Sequence, residues 1–300
     1  MARRGTQGAV KSVVVVGLGF MLVVGLIVKA ASAQQRLPED DGRVTDPKFE
    51  IGVFGASAYV PYYKGSSENR SFLLPLPYMV YRGEIIDLDE DSLTGRFFSS
   101  GRVVADVSLY AEINKSDDAR LGMEELDEVM TAVGPAVKYY FSRKIDDGYD
   151  LYLSLPVRAA ISGDWDDGLR LDYRGLQSKL ILYYENFDLL PDKKLEFIAS
   201  GAVGVMDSDL ASYYYGVDAE DVTAVRHQYD ASGGYAGASI SLDLTYHLYD
   251  RFSIRAYTNV DYLGGAAFED SPLVRETVNF AAGMALIYSI WQSEERVVRE

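Results

Sequence analysis

The stretch Asp150-Leu151-Tyr152-Leu153-Ser154-Leu155-Pro156-Val157-Arg158-Ala159-Ala160-Ile161 alternates apolar and polar side chains. With the preceding Tyr149, residues Leu151, Leu153, Leu155, Val157 and Ile161 share one parity, and Asp150, Tyr152, Ser154 and Arg158 share the other. A strand has period two, so the two sets lie on opposite faces. The pattern recurs. Val103, Ala105, Val107, Leu109 and Ala111 oppose Arg102, Asp106 and Glu112; Val133, Val137, Tyr139 and Phe141 oppose Lys138; Ile240, Leu242, Leu244, Tyr246 and Leu248 oppose Ser239, Ser241, Asp243, Thr245 and His247. Strands of a soluble sandwich are typically about 5–6 residues long, whereas a membrane-crossing strand needs about 9–11. The lengths here favour strands with lipid on one side and a wet interior on the other. In that reading Leu153→Arg disrupts assembly and Ser154→Arg is tolerated better.

The amino terminus supplies an address. Arg3, Arg4 and Lys11 precede an unbroken apolar run from Val13 to Val28, and Ala31-Ser32-Ala33 then offers a small-x-small cleavage site before Gln34. This reads as a secretory signal peptide over 1–33, cleaved after Ala33; a membrane anchor is the alternative. The chain has no cysteine, so disulfides, a lipidated cysteine and cysteine metal sites are excluded. Loss of the signal removes Arg3, Arg4, Lys11 and Lys29 and no acid, leaving about 25 basic against 45 acidic residues, a net charge of about −20. That charge repels phosphates and argues against nucleic acid as a partner. Of the aromatic residues, 23 are Tyr, against 2 Trp and 12 Phe. Tyr59, Tyr62, Tyr63, Tyr78, Tyr81, Tyr139, Tyr140, Tyr183, Tyr184, Tyr246, Tyr249, Tyr257, Tyr262 and Tyr288 sit near segment ends, as an aromatic girdle at the headgroup boundary requires, although β-propensity also enriches Tyr.

The fold class expected is an all-β, antiparallel, up-and-down transmembrane barrel over 48–291, with a periplasmic segment at 34–47 and a periplasmic tail at 292–300. Strands are expected near 48–60, 72–82, 102–112, 129–142, 148–161, 170–185, 194–206, 233–249, 251–262 and 276–291. Short connections at 143–147, 186–193 and Asp250 alternate with long ones at 61–71, 113–128, 162–169, 207–232 and 263–275, as expected when one barrel end faces the periplasm. The region Gly83 to Ser100 must hold two strands or none, because the chain enters and leaves it at the same end. Two, near Glu84–Asp89 and Arg96–Ser99, give twelve strands and none gives ten; twelve is favoured because a long structureless run is unusual in a compact barrel.

Asp106, Lys138, Arg158, Lys179, Glu185, Glu196, Asp243, His247, Arg255 and Asp261 all fall on the lumen parity with both signs present. They either pair and close a narrow interior, the favoured reading, or line a small polar pore. Catalysis would rest on His227 or His247. His247 faces inward, opposite to what a lipid-facing hydrolase needs, and His227 lies in an acidic loop with Asp207, Asp209, Asp218 and Asp221. The chain therefore reads as non-enzymatic, with no cofactor motif. Acid clusters at Asp87–Asp91, Asp117-Asp118, Asp146-Asp147, Asp164–Asp167 and Asp207/Asp209 lack the spacing of a calcium loop; solvated loops are the default, with weak cation bridging to lipopolysaccharide beside it.

Pro61-Tyr62-Tyr63-Lys64-Gly65-Ser66, Pro77-Tyr78, Tyr81-Arg82-Gly83, Tyr214-Tyr215-Gly216-Val217 and Asp270-Ser271-Pro272-Leu273-Val274 occur in an order and spacing that resemble the MltA-interacting protein family, MipA/OmpV, over essentially the whole mature chain. The resemblance implies an outer-membrane barrel seated among lipid and lipopolysaccharide. It also implies a scaffold role between a murein hydrolase and a murein synthase, with adhesion or porin-like behaviour in other members. Such barrels usually end on an aromatic residue that resembles the signal read by the barrel-assembly machinery. Here Trp291 is followed by the polar tail Gln292 to Glu300, so that signal would have to be read internally. Three functional classes stand open: a scaffold contacting partners through 34–47 and 292–300, a narrow channel for small polar or cationic solutes, and an adhesive surface built on the 207–232 loop around Tyr213, Tyr214 and Tyr215.

Overall fold

The computed structural model describes residues 45–82, 86–88, 93–113, 120, 123, 126, 129–143, 148–164, 170–187, 189–190 and 195–298. The proposed signal peptide, most of the 34–47 segment, and the acid pairs at 117–118 and 146–147 lie outside them. Two short strands, β1 (Thr45–Pro47) and β14 (Arg296–Val298), flank twelve that form the wall. The wall strands are β2 (Phe49–Pro61), β3 (Asn69–Arg82), β4 (Ile86–Leu88), β5 (Leu93–Ser100), β6 (Val103–Ile113), β7 (Val129–Ser142), β8 (Asp150–Asp164), β9 (Arg170–Asn186), β10 (Leu195–Met206), β11 (Gly234–Tyr249), β12 (Phe252–Tyr262) and β13 (Val278–Gln292). Each pairs antiparallel with its neighbours in sequence, and β13 pairs with β2, so the sheet closes into a twelve-stranded up-and-down barrel. Closure leaves no sheet edge, which is how a β-sheet satisfies its backbone where no water is present.

The parity read from the sequence is the parity of the wall. Val137, Tyr139, Phe141, Leu155, Val157, Ile240, Leu242 and Leu244 project outward, while Tyr152, Ser154, Asp106 and Asp243 are buried inside. Transfer of an outward leucine or valine into hydrocarbon gains about 1.5–3 kcal/mol, and a one-residue register slip would invert every such pair. An aromatic belt marks the end where the termini lie: Phe49 contacts Tyr81 and Trp291, Tyr139 contacts Phe141, and Tyr184 lies between Tyr149 and Phe197. Not every tyrosine assigned to the girdle belongs there. Tyr63 is buried in the loops that cover the barrel end, and Tyr78, Tyr140 and Tyr183 turn inward, the last two against Tyr152, because a tyrosine within a strand belongs to whichever face its parity dictates. The expectation for Ser154→Arg also needs revision. Ser154 is 4% exposed and directly opposite Lys138, so arginine there would be both overpacked and beside a like charge.

Three further details depart from the sequence reading. The strict alternation of short and long connections breaks at β4 and β5, whose Leu88↔Leu93 pairing leaves only four residues between them. The β11–β12 turn comprises Asp250 and Arg251 rather than Asp250 alone. The two terminal segments are not free where they are described: β1 pairs with β14 through Thr45↔Val298, Asp46↔Val297 and Pro47↔Arg296. Lys48 Nζ sits 2.8 Å from Glu295 Oε1, and backbone bonds from Lys48 N to Glu295 O and from Ser293 N to Phe49 O continue the zipper.

Candidate functional site

The lumen is filled from strand to strand by charge and hydrogen-bond pairs. Asp106 on β6 is 2% exposed, and Lys138 Nζ on β7 approaches its Oδ2 to 2.8 Å. Among the described residues neither Asp106 oxygen has a further hydrogen-bond partner, so the Lys138 ion pair is the close contact that holds the carboxylate there. Lys138 also lies 5.7 Å from the centre of the Tyr152 ring. Tyr152 stacks on Tyr183 at 4.9 Å and donates to Glu185 at 2.7 Å. Arg158 donates from Nε and Nη2 to Ser108 Oγ at 3.0 and 2.5 Å, and Lys179 Nζ lies 5.8 Å over the Tyr110 ring. Arg255 Nε donates to Asp243 Oδ2 at 2.7 Å. Asp261 takes Lys64 Nζ at 2.6 Å and Asn259 Nδ2 at 2.5 Å. Thus Asp106, Lys138, Arg158, Lys179, Glu185, Asp243, Arg255 and Asp261 are all engaged with neighbours on the same or nearby strands or in the 62–68 loop. Lys64 belongs to the 62–68 loop and carries no strand parity, which is why sequence periodicity alone did not single it out.

The end of the barrel away from the termini is covered by a second, apolar core made of loops. Helix α1 (Ser208–Tyr215) starts at Asp207, whose Oδ1 accepts from Leu210 N at 2.9 Å and whose Oδ2 accepts from Leu176 N at 2.7 Å. The approach depends on Gly175. Its φ of +133° and the bulge beside it let the helix start pack on β9, and a Cβ there would strike Asp207 Oδ1 and Leu210 N. Asp207 is therefore a helix cap and not half of a cation site; an aspartate just before Ser-Asp-Leu is the signal that would have revealed the helix.

From α1 the cap spreads across the barrel end. Tyr215 stacks on Phe268 at 3.9 Å with the rings 7° apart, within a buried cluster that includes Tyr63, Leu126, Val217, Leu263 and Leu273. Tyr215 Oη donates to Lys64 O at 3.0 Å, Ser271 Oγ donates to Tyr215 O at 2.7 Å, and Asn279 clamps Gly65 N and Ser66 O. Arg226, 3% exposed, donates to Arg120 O at 3.0 Å and Asp221 O at 2.7 Å. The expected exposed tyrosine surface is absent. Tyr215 is 3% exposed and Tyr213 and Tyr214 pack against the cluster, because three adjacent aromatics on a short helix bury more area folded over the barrel than in water. Between cap and lumen lies a cavity of ≈ 70 Å³, lined by Lys64, Tyr110, Lys179, Leu210, Tyr214 and Asp261 among others. It has room for a few waters and not for a hydrated solute.

Tyr63 ties the cap to its hydroxyl. It donates to Leu273 O at 2.8 Å, and burial pushes its pKa up to about 12 from the usual 10, with Arg120 and Arg275 pulling the other way. A raised folded-state value means that the stabilisation is complete below pH 10 and is lost as pH climbs through 12. Hydrogen exchange of the 207–233 and 263–277 amides should accelerate across that window in the wild type. Tyr63→Phe should lose about 1 kcal/mol of cap stability at neutral pH and show a weaker alkaline step.

The two histidines separate. His227 is exposed on the cap, 6.4 Å from the Tyr229 ring. His247 joins Glu196 through Nε2 at 2.8 Å and Ser253 through Nδ1 at 2.8 Å. Serine, histidine and carboxylate are the members of a hydrolytic triad, but the ring presents Nδ1 rather than Nε2 to the serine, and Ser253 is simply the cross-strand partner of His247. Among the described residues no three His, Cys, Asp or Glu gather as metal ligands.

A closed antiparallel barrel with this loop cap has recognisable relatives. Residues 53–290 match the family described as MltA-interacting protein MipA. The chain belongs to that family. A relative from Vibrio anguillarum described as outer membrane protein Omp26La is 22% identical over 242 residues, covering 80% of this chain and 84% of its own. As a MipA-family protein, the chain is an outer-membrane β-barrel. Among solved structures it is similar to OprD from Pseudomonas aeruginosa, with 6% identity, a TM-score of 0.31, and coverage of 89% of this chain and 99% of that one. The Pseudomonas putida toluene transporter TodX gives 11% identity and a TM-score of 0.24 over 85% of this chain and 69% of its own.

Proposed function

We propose that this MipA-family barrel is a non-conducting, non-enzymatic outer-membrane scaffold whose periplasmic contacts run through the joined chain ends. The observation that carries this reading is the β1–β14 pairing, which turns two separate tails into one small sheet projecting from the barrel rim. A small two-stranded sheet of this kind is a surface to which an extended segment of a partner can add. The family is described by its interaction with MltA, which supports a murein hydrolase as the partner; a murein synthase as second partner rests on the resemblance alone. Charge pairs along the lumen wall, together with the cap, speak against the channel reading.

The test is affinity capture from crosslinked envelopes. The intact barrel should recover a murein hydrolase or synthase, and Val297→Pro, which removes a donor and breaks the Asp46↔Val297 register, should recover several-fold less while the barrel still migrates as heat-modifiable. Recovery unchanged by Val297→Pro and by deletion of 292–300 would end the scaffold reading. Amino-terminal sequencing of the mature protein should begin at Gln34.

A further inference from the structure

The cavity between cap and lumen gathers cations in a chain that is rich in acids. Its ≈ 70 Å³ lie against two ammonium groups, Lys64 and Lys179, and one carboxylate, Asp261. The sequence as a whole has the opposite balance, 45 acidic against 29 basic residues. The carboxylate is directed at partners of its own: Asp261 Oδ1 takes Lys64 Nζ at 2.6 Å and Oδ2 takes Asn259 Nδ2 at 2.5 Å. Lys179 comes from β9, with its Nζ 5.8 Å over the Tyr110 ring, and Gln177 and Ser239 add an amide and a hydroxyl to the lining. An ammonium carries three protons, so an amine that already holds one acceptor has the capacity for another.

The remaining lining explains why there is space at all. Leu210 and Tyr214 of α1 close the cavity on the cap side. On the wall side, Gly204 of β10 stands directly opposite Lys179 in the ladder and shares its inward parity. A Cβ at Gly204 would lie 3.6 Å from Lys179 Cγ and 3.8 Å from Gly237 O, ordinary contact distances. Its φ is not in the left-handed region either. Neither backbone conformation nor a clash therefore requires glycine at 204. What a larger residue would remove is the volume beside the two amines.

We infer that this cavity is a binding site for one small oxyanion, a short carboxylate or a phosphate, held by Lys179 and Lys64 beneath α1. The space takes a few waters or, in their place, a single ion of about four or five heavy atoms that has shed its hydration shell. Loss of that shell is unfavourable unless charge and N–H or O–H donors replace it, and two ammonium groups with Gln177 and Ser239 supply both. The ion would join three parts of the fold: Lys179 belongs to the wall, Lys64 to the 62–68 loop, and Leu210 and Tyr214 to α1. Its role is to fasten the cap to the barrel, because α1 cannot lift without exposing it. The site lies at the other end of the barrel from the β1–β14 sheet and stands or falls separately from the scaffold reading.

Hydrogen exchange of the α1 amides, Ser208–Tyr215, in the folded full-length barrel reads this fastening. At constant ionic strength, replacing sodium chloride with sodium acetate or sodium phosphate should slow that exchange several-fold and reach a plateau. The salt that saturates at the lower concentration identifies the class of anion. Two variants test the location: Lys179→Gln removes a cation, and Gly204→Val fills the space while leaving every charge in place. Heat-modifiable migration shows that each is folded, and both should abolish the anion-dependent slowing. Exchange no slower in acetate and phosphate than in chloride overturns the proposal and leaves the cavity to water. So does slowing that rises without a plateau, the mark of salts excluded from the protein surface, or that persists in either variant, which puts the anion elsewhere.

Discussion

Replacing Lys138 with methionine is expected to cost about 3–5 kcal/mol, because it leaves Asp106 charged and buried with its cation gone. Asp106 is 2% exposed and has no hydrogen bond among the described residues to fall back on. The double variant Asp106→Leu with Lys138→Met should recover most of the loss, since a well-packed apolar pair avoids the desolvation of two ions. Urea unfolding in detergent micelles or bilayers measures both. Planar-bilayer recording of the same set separates stability from permeation. The wild type should show no steady conductance, and Arg255→Ala, which removes the 2.7 Å bond to Asp243, should show little more, because the cap still covers the far end. Equal stability of Lys138→Met and wild type, or a stable cation-preferring conductance in the wild type, would show that the lumen charges do not close the barrel.

Leu155→Arg is expected to lower barrel stability by about 2–4 kcal/mol, the penalty of a cation near the bilayer midplane on the lipid face. Leu155 is 47% exposed and sits opposite Val137 in the middle of β8, with outward Val157 two residues on. The matched lumen change is Thr245→Arg, whose neighbours across the ladder are Glu196 and Arg255. It should cost clearly less, because the half-buried position faces polar groups instead of hydrocarbon and the Glu196 carboxylate offsets the like charge of Arg255. Heat-modifiability and folding yield in vesicles give the comparison. Equal losses at the two positions would place the outward and inward faces of β8 and β11 wrongly.

The parity of β8 and β11 was legible from composition alone. An outward side chain meets lipid and an inward one meets water or another polar group, so each position is chosen almost independently of what lies across the barrel. The two strands within Gly83 to Ser100 were legible from strand-like segments near Glu84–Asp89 and Arg96–Ser99 together with the topological requirement of two strands or none. The described strands there are Ile86–Leu88 and Leu93–Ser100, bounds that alternation and turn residues did not give.

The sequence by itself determined the membrane-crossing class, the strand parity, the inward set of charges and the resemblance to the MipA/OmpV family, because each follows from a local pattern of residue types against two solvents. Only the tertiary structure decided which charges meet, that Tyr213 to Tyr215 fold down onto Phe268 instead of facing outward, and that the two ends of the chain form one sheet. These are contacts between residues far apart in the chain. Lys138 has no local preference for Asp106 over any other acid on the lumen face; strand register and barrel closure bring that one within 2.8 Å.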